Sequence, residues 1–364
     1  MEITFAERVR AAFAPPQYLA PPLAGMDLSP SGVKAVRLER GPYGLTLASH
    51  ADVPLAGGAY ANGDVVDRPA VLAAIVAAAR AARVSTITAA LPESKSYLFE
   101  TLVAGEKKAH WTTSVEQHLE ELVPLPPQLS MFDIVPVGRT NKNEVQVVGV
   151  GFARRLVEDL LSVYDEAGLQ PQALEAENFA VARALLPAHD QSTVLIIDIG
   201  KTTTKICIVS QRVPRFATTI GIGGHAVTLA IQKYFGVTET EARKIKADKG
   251  IAPALGNEEC LGAILSTVAA IRDEIASRLD YWQAKVASGG MYQPVSHAIL
   301  VGGNATLRGF QEYLESSLRI PVATGNVFVN FASRDVWLPA IDYNESLAYA
   351  TVIGLALHEN QYHD

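Results

Sequence analysis

The sequence predicts an α/β protein built from two related lobes, and three observations support this fold class. Strand-like apolar runs alternate with helical patterns along most of the chain. A motif that combines an acidic strand end, a small polar turn and a lysine occurs twice. With 364 residues, 49% of them hydrophobic and 19% charged, the chain is long enough for about two domains with separate cores.

The clearer copy of the motif is Val194–Ser210, which reads V-L-I-I-D-I-G-K-T-T-T-K-I-C-I-V-S. Two β-rich runs flank a Gly/Thr turn, and this pattern predicts a hairpin. Gly200 lets a ligand approach the backbone, and the residues after it leave N–H groups that can point one way. Such a tip can hold phosphate, with Asp198 holding a hydrated Mg²⁺ beside it. On its own, the stretch fits an ordinary polar turn about equally well.

The second copy is Met26–Val36, which reads M-D-L-S-P-S-G-V-K-A-V. In a gapless alignment, Asp27 lies 171 positions before Asp198, and Lys34 lies 171 positions before Lys205. Because both residues match at one offset, chance is a weak explanation. The repeat predicts two homologous lobes that each offer one loop to a ligand between them.

The remaining patterns predict the elements around these hairpins. Ile3–Phe13 is predicted to be a short helix that docks on protein, and the prolines of Ala14–Pro22 predict a linker. Further strands are predicted at Leu45–Val53, Val84–Leu91, Tyr97–Val103, Met131–Val137, Glu144–Phe152, Phe216–Ile220 and His297–Leu300. Helices are predicted from Asp67 to Arg80 and at Ser114–Val123, Arg154–Ala167, Leu174–Leu186, His225–Tyr234, Thr238–Lys249, Glu259–Ala287 and Glu345–Leu357.

Three of these segments carry candidate site residues. Glu177 lies near the start of the predicted helix Leu174–Leu186, where it could align a water molecule on a terminal phosphate. Alternatively, Glu175 and Glu177 could simply favour a helix N-terminus. The glycines of Gly221–His225 precede a helix and predict a second anion-binding turn. The pair Gly302–Gly303 follows an apolar strand, where a flat ring or a ribose could lie against bare backbone.

Composition excludes several classes of protein. A net charge of −7 argues against a broad nucleic-acid-binding surface. Cys207 and Cys260 lack metal-site spacing and cannot form a disulfide framework, so a reducing cytoplasmic setting is expected. No apolar run reaches the ~18–20 residues of a membrane span, and the N-terminus lacks a signal-peptide core.

The motifs D-x-G-x-x-x-T-K, G-G-x-x-x-T and V-G-G-N-A, in this order, resemble the phosphate and adenosine motifs of the actin-like ATPase superfamily. Residues 93–168 have the predicted order strand, helix, strand, strand. An insertion with this order in the first lobe resembles the one in the FtsA and PilM branches of that superfamily. The similarity extends from Leu23 to Leu357 and favours the PilM family of type IV pilus assembly proteins. The segments that resemble PilM are Leu91–Thr101, Gln117–Pro127, Glu166–Glu177 and Ser346–Leu357. We do not expect the C-terminal amphipathic membrane helix of FtsA-type proteins here, which also favours the PilM branch.

The resemblance implies a two-lobed actin-like ATPase (ribonuclease H-like) fold with a small inserted strand–helix–strand–strand subdomain in the first lobe. Residues 1–22 would form the N-terminal helix and proline-rich linker. The first lobe would comprise residues 23–92, 169–190 and 335–364. The inserted subdomain would span residues 93–168, and the second lobe would span residues 191–334.

The resemblance also implies a site for ATP or ADP with Mg²⁺. Asp27 and Asp198 would hold Mg²⁺ through water, and Glu177 falls where related ATPases place a water-polarising residue. The residues implied to bind the phosphates are Ser29, Ser31, Lys34, Gly200, Lys201, Thr202 and Thr203. The residues implied to form the glycine turn and to flank adenosine are Gly223, Gly224, Thr228, Glu241, Lys246, Gly302, Gly303 and Asn304.

The first loop departs from the family pattern. Ser29 and Pro30 stand where the family usually has a glycine and another small residue. Proline has no N–H group and fixes its own φ angle, so we expect weaker phosphate binding at this loop. Hydrolysis is therefore expected to be slow or absent, and nucleotide could instead act as a conformational ligand that sets lobe closure.

The implied function is that of a cytoplasmic ATP-binding scaffold at the inner membrane, in a type IV pilus or related type II secretion assembly complex. Its implied partners are the N-terminal cytoplasmic segment of a PilN-like membrane protein and other pilus assembly proteins. The alternatives are an FtsA-like cell-division protein or a filament-forming actin-like ATPase, because self-association needs no extra motif. A kinase or fast ATPase is a further class, but no acidic base facing a substrate pocket is apparent.

Overall fold

The computed structural model describes residues 23–105, 108–140, 144–253, 256–289 and 291–358. The predicted helix Ile3–Phe13, the linker Ala14–Pro22 and the tail beyond His358 lie outside the described residues. Within them, two five-stranded mixed sheets and one three-stranded sheet form the framework. The predicted two-lobed α/β fold is confirmed.

The first sheet has the strand order β10-β6-β1-β2-β3, and the β1–β2 hairpin contains the first copy of the motif. Asp67, the predicted start of this helix, caps α1, because its side chain accepts a hydrogen bond from the Ala70 N–H. The elements up to β6 are β1 (Leu23–Ser29), β2 (Gly32–Gly41), β3 (Gly44–Pro54), β4 (Tyr60–Ala61), β5 (Asp64–Val65), α1 (Arg68–Ala82) and β6 (Thr86–Leu91).

The three-stranded sheet, in the order β7-β9-β8, follows a 3₁₀ turn at Glu93–Lys95. The predicted helix Ser114–Val123 is in fact two helices, which meet at His118. The elements of this region are β7 (Tyr97–Ala104), α2 (Lys108–Gln117), α3 (Leu119–Leu122), a 3₁₀ turn (Pro127–Leu129), β8 (Ser130–Arg139), β9 (Glu144–Ala153), α4 (Arg154–Glu166), β10 (Gln170–Ala176) and α5 (Glu177–Leu185).

The helix α4 packs with the first sheet. Val157, Leu160 and Val163 are buried in the same cluster as residues of β1, α1 and β6. The core of the three-stranded sheet is a separate cluster formed with α2 and α3. The sequence prediction assigned α4 to the inserted range 93–168, whereas its packing joins it to the first lobe. The division of the chain into lobes as a whole stays a proposal.

The predicted start of the helix Leu174–Leu186 is wrong. Leu174, Glu175 and Ala176 extend β10, which pairs in parallel with β6, and the helix α5 begins at Glu177. The reason is tertiary: pairing with a strand that is distant in sequence overrides the local helix propensity of L-E-A. Glu177 is therefore the first residue of the helix, directly beyond the carboxyl end of β10, whose last residue, Ala176, is buried.

The second sheet has the order β13-β12-β11-β14-β15. The long helix α8 buries Val268, Ile275 and Trp282 on one face, whereas its Leu265 is exposed. The elements are β11 (Thr193–Ile199), β12 (Thr204–Ser210), β13 (Val213–Ile220), α6 (Gly224–Phe235), α7 (Glu239–Lys249), α8 (Glu258–Ala287), β14 (His297–Val301), α9 (Phe310–Leu318), β15 (Val322–Thr324), α10 (Tyr343–Ser346), a 3₁₀ turn (Leu347–Tyr349) and α11 (Ala350–Ala356).

Helices α5 and α11 lie against each other between the two large sheets. Val181 and Val352 belong to the core of the second sheet, whereas Leu355 packs with Ala90 of β6 and Ala180 of α5. The C-terminal helix thus returns to the first lobe, as predicted, and it also contacts the second. None of the helices in the described ranges combines the length and the apolar composition that crossing a bilayer requires.

The close approach of α11 depends on two glycines. A Cβ atom on Gly354 would lie 1.8 Å from the Ala180 carbonyl oxygen, and one on Gly25 of β1 would lie 2.2 Å from the Val352 carbonyl oxygen. Such distances are far below van der Waals contact, so neither position can carry a side chain unless the backbone moves. The contacts of α11 with α5 and with β1 are therefore packed backbone to backbone.

We expect Gly354→Ala to destabilise the protein by about 1–3 kcal/mol, because the added methyl group overpacks the α5–α11 contact. The matched control is Gly262→Ala within α8, where an added Cβ meets no atom within 4 Å. That change should instead stabilise by roughly 0.5–1 kcal/mol through helix propensity. Urea unfolding of both variants measures the difference. Equal effects would show that α11 does not pack as described.

Candidate functional site

The two hairpins present the same residues in the same register. Asp27 of β1 lies opposite Lys34 of β2, and Asp198 of β11 lies opposite Lys205 of β12. In both hairpins the acidic residue stands near the end of a buried strand, two positions or fewer before the last residue of that strand. The internal repeat predicted from the sequence is therefore also a repeat of structure.

The Asp27 carboxylate is buried, with 8% of its surface exposed, and its Oδ1 atom has no hydrogen-bond partner among the described residues. Burial and then the charge of Glu177 raise the pKa of Asp27 to about 6. Asp198 contributes in the same direction, so the two carboxylates lie within electrostatic range of each other. Burial also raises the pKa of Asp198, although Lys205 and Lys34 oppose this effect.

Glu177 and Lys205 form an ion pair where the ends of the two hairpins meet, a region that we call the junction. The Lys205 Nζ atom lies 2.7 Å from Glu177 Oε2, and the same oxygen accepts a hydrogen bond of 3.0 Å from the Glu93 N–H. Burial lowers the pKa of Lys205, but the charges of Glu177, Asp198 and Asp27 outweigh it and raise that pKa overall. Lys34 pairs with Asp52 at 3.3 Å. The carboxylates facing the junction thus outnumber the nearby lysines.

This surplus of negative charge fits a divalent cation. A buried oxygen that lacks a hydrogen bond costs free energy unless a ligand supplies the missing contact. Carboxylate oxygens are the ligands that Mg²⁺ prefers, commonly through its bound water. Asp27 and Asp198 are the residues that could hold such an ion.

The tip of the second hairpin packs on the glycine turn before α6. The Gly224 N–H donates to the Gly200 carbonyl at 3.0 Å, and the His225 N–H donates to the Lys201 carbonyl at 2.8 Å. A Cβ atom on Gly223 would lie 2.7 Å from the Thr203 nitrogen, so only glycine allows this contact. Lys201 and Thr202 remain exposed at the tip and Thr203 is half-buried.

The loop after β14 closes the site from the other side. Gly302 has a φ angle of +91°, and a Cβ atom there would lie 2.3 Å from Asp198 Oδ1. Asn304 ties this loop to the hairpin, because its Nδ2 atom donates to the Gly200 carbonyl at 2.9 Å. Gly303 leaves an open face, because a Cβ atom added there would lie 3.8 Å from Ala348 Cβ, its nearest contact among the described residues.

Lys246 of α7 joins the glycine turn to this loop. Its Nζ atom donates to the Gly224 carbonyl at 3.0 Å and to Asn304 Oδ1 at 2.8 Å. Burial, and secondarily Arg243, lower the pKa of Lys246 to about 8. A small cavity with mainly apolar walls lies beneath this ammonium group. Its apolar side chains come from Ile199, Val227, Val268, Ile271, Leu307 and Phe310.

Some predicted site residues make only local contacts. Glu241 accepts hydrogen bonds from the Thr238 N–H at 2.9 Å and hydroxyl at 2.8 Å, which is a capping box at the start of α7. Thr228 is buried and donates to the Gly224 carbonyl at 3.0 Å. Ser29 bonds to Ser31 at 2.9 Å in the first hairpin turn, beside the exposed Pro30.

Two residues of the site were missed from the sequence. The sequence pattern marks Lys205 only as the repeat of Lys34 and carries no prediction for Glu93, although the N–H and the buried carboxylate of Glu93 both face the junction. The sequence does contain a signal for Glu93, since it lies two positions after Leu91, the last residue of the strand β6. Ligand-facing residues commonly follow such strand ends.

Two cell division proteins are similar in sequence to about half of this chain. The cell division protein FtsA of Borreliella burgdorferi is 27% identical over 187 residues, which cover 46% of this chain and 45% of FtsA. The FtsA of Neisseria meningitidis serogroup B is 23% identical over 211 residues, covering 52% of this chain and 50% of that protein. The chain thus spans about half the length of the curated relatives it matches.

Solved structures share the fold over nearly the whole chain. A PilM-PilN type IV pilus biogenesis complex superposes with a TM-score of 0.76 at 21% identity, covering 92% of this chain and 97% of the other. MreB5 of Spiroplasma citri bound to ADP superposes with a TM-score of 0.57 at 14% identity, covering 94% and 97% of the two chains. The family model described as type IV pilus assembly protein PilM matches residues 25–360. The chain therefore belongs to the PilM family of type IV pilus assembly proteins.

Proposed function

We propose that this protein is a nucleotide-binding scaffold of a type IV pilus, or related type II secretion, assembly complex. The observation that carries the nucleotide part is the paired arrangement of Asp27 and Asp198, two acidic strand ends from repeated hairpins that face one junction. The family membership carries the pilus part.

The ligand in this proposal is ATP or ADP with Mg²⁺. Asp27 and Asp198 hold the hydrated metal ion, the hairpin tips and Gly223–Gly224 bind phosphates, and Lys246 with the Gly302–Asn304 loop flanks the adenosine. The MreB5 structures with this fold contain ADP or AMPPNP, which supports a nucleotide as the ligand. When bound, Mg²⁺ supplies charge neutralisation for the phosphates.

Slow hydrolysis follows from the surroundings of Glu177. Its Oε2 atom is engaged by both Lys205 and the Glu93 N–H, so one of its two carboxylate oxygens is already committed to protein contacts and is less available to orient water. Pro30 also removes one N–H donor from the first turn. Nucleotide acts chiefly as a conformational ligand in this proposal, and it favours the lobe arrangement for which it has the higher affinity.

The partner in this proposal is the N-terminal cytoplasmic segment of a PilN-like inner-membrane protein, which docks at the subdomain built on β7, β8 and β9. The solved PilM-PilN complex with this fold supports that choice. The protein then sits at the cytoplasmic face of the inner membrane, attached through PilN-like and other pilus assembly proteins. With a net charge of −7, it is not proposed to bind nucleic acid.

The second candidate is an FtsA-like cell-division protein or a filament-forming actin-like ATPase, and the two FtsA relatives are the observation that favours it. The two functions differ in a measurable way. A scaffold binds a pilus membrane protein as a defined complex, whereas a filament former polymerises when nucleotide is added.

We expect Asp198→Ala to weaken Mg²⁺-ATP binding by about 10–100-fold, because it removes one of two water-mediated metal contacts. Isothermal titration calorimetry measures the affinity, and circular dichroism checks that the fold is retained. Asp165→Ala, at an exposed position of α4, is the control and should bind like the wild type. Unchanged affinity in the Asp198 variant would refute the site assignment.

A synthetic peptide from the cytoplasmic N-terminus of a PilN-like protein encoded near this gene should bind the full-length protein, and a scrambled peptide should not. Fluorescence polarisation with a labelled peptide measures the affinity. Light scattering with Mg²⁺-ATP is run in parallel. If no candidate peptide binds and Mg²⁺-ATP induces polymers, the proposed scaffold function is wrong and the filament-forming function is supported.

A further inference from the structure

A continuous set of polar contacts leads from Glu177 into the second lobe. Glu177 accepts the N–H of Glu93, which lies in the 3₁₀ turn between β6 and β7. The Glu93 carboxylate is itself buried and accepts a hydrogen bond from the Thr219 hydroxyl of β13. Burial raises the pKa of Glu93, and the Thr219 hydroxyl opposes that shift.

Thr219 is also linked to Glu177 by a second route. In the second sheet Thr219 is the cross-strand partner of Lys205, and Lys205 holds the Glu177 carboxylate at 2.7 Å. Paired residues on neighbouring strands point to the same face of a sheet. One cross-strand pair thus holds both Glu177 and the turn that leads into β7.

The other end of β13 carries a buried ion pair to β7. The Arg215 Nε atom lies 2.5 Å from Glu100 Oε1, and only 4% and 13% of the two side chains are exposed. Glu100 also accepts the Tyr292 hydroxyl at 2.8 Å and the Gln146 Nε2 atom at 3.2 Å. The guanidinium carbon of Arg215 lies 5.6 Å from the centre of the Tyr292 ring.

The register of β13 explains how Arg215 reaches β7. Ile208 pairs with Phe216 and Val209 pairs with Pro214, which leaves Arg215 as the extra residue of a bulge. A bulge redirects the side chain that it carries, and bulges are common beside functional sites. Strand β13 packs on both the Glu93 turn and β7, so one edge strand of the second lobe contacts both ends of this segment.

A bound phosphate would disturb the first of these contacts. Lys205 is the ammonium group that pairs with Glu177, and its strand partner is Asp198 at the predicted metal position. A triphosphate adds negative charge at this point and competes with Glu177 for Lys205. Glu177 then loses its ion pair with Lys205 and keeps the hydrogen bond from the Glu93 N–H. The ligand thereby changes the contacts that hold the turn before β7.

We propose that β13 couples the nucleotide site to the subdomain built on β7, β8 and β9, with Glu93 as the positioning residue for Glu177 and the Arg215–Glu100 pair as the connection to β7. The identities of the two ligands rest on the proposed function. Because coupling between two binding sites is reciprocal, nucleotide and partner peptide change each other's affinity by the same factor.

The test measures peptide affinity of the full-length protein with and without Mg²⁺-AMPPNP. In the wild type we expect nucleotide to change the peptide Kd by about fivefold or more. In the double variant Arg215→Met/Glu100→Gln the change should fall below about twofold, while each ligand alone still binds within a few-fold of wild type. An undiminished change in this variant, or none in a wild type that binds both ligands, would overturn the proposal.

The control applies the same substitutions to an exposed ion pair. Arg278→Met/Glu274→Gln on α8 removes a pair at 2.9 Å that lies outside the route and should retain the full coupling. Thr219→Val is the milder variant, in case the double variant does not fold. This substitution keeps the shape of the side chain but removes the hydroxyl group that donates a hydrogen bond to Glu93. It should therefore also reduce the coupling.

A second measurement needs neither ligand and separates this proposal from the proposed function. Glu177→Gln should speed hydrogen exchange at the amides of β7 in the wild-type background. The same substitution should have a much smaller effect when Arg215→Met/Glu100→Gln is present, because the connection is already broken. Equal effects in both backgrounds would refute the coupling even if nucleotide and peptide both bind. If neither ligand binds, unequal effects support the coupling while the proposed function fails.

Discussion

The burial of unbalanced carboxylates between two sheets is the constraint on which the rest of this structure depends. Asp27, Asp198 and Glu177 meet where the two repeated hairpins end, and Lys205 is the cation that all three share. Bringing like charges out of water is unfavourable unless something compensates for it. In our proposal, a bound cation stabilises this cluster, and a bound phosphate that competes for Lys205 rearranges it.

The surrounding geometry serves this cluster through close backbone contacts. Gly302 lies directly against Asp198, and Gly223 lies directly against the hairpin tip, at distances that no other residue type permits. Gly354 plays the same part at the α5–α11 crossing, where α11 is held beside the helix that begins with Glu177. The side chains of the site are thus positioned by rigid elements on both sides.

Much of the fold could be predicted from the sequence because its signals are local. The β11–β12 hairpin, the cap at Asp67 and the 171-position repeat each depend on a few neighbouring residues or one alignment. The start of α5 could not be predicted, because residues 174–176 pair with β6 more than 80 positions earlier. The roles of Glu93 and Arg215 could likewise not be predicted, because packing of the lobes brings each of them to a partner that is distant in sequence.

The most direct test of this account compares the melting temperatures of the wild type and Asp27→Asn at pH 8, with and without Mg²⁺-AMPPNP. The folded-state pKa of Asp27 is about 6, above the ordinary value of 3.8, so ionisation at pH 8 destabilises the ligand-free protein. Without ligand, the asparagine variant should melt a few degrees higher, and this gain should vanish below pH 4. With ligand, the order should reverse, because only the carboxylate can hold the metal ion. A variant that melts lower in both conditions, or that gains as much from the ligand as the wild type does, would contradict the account.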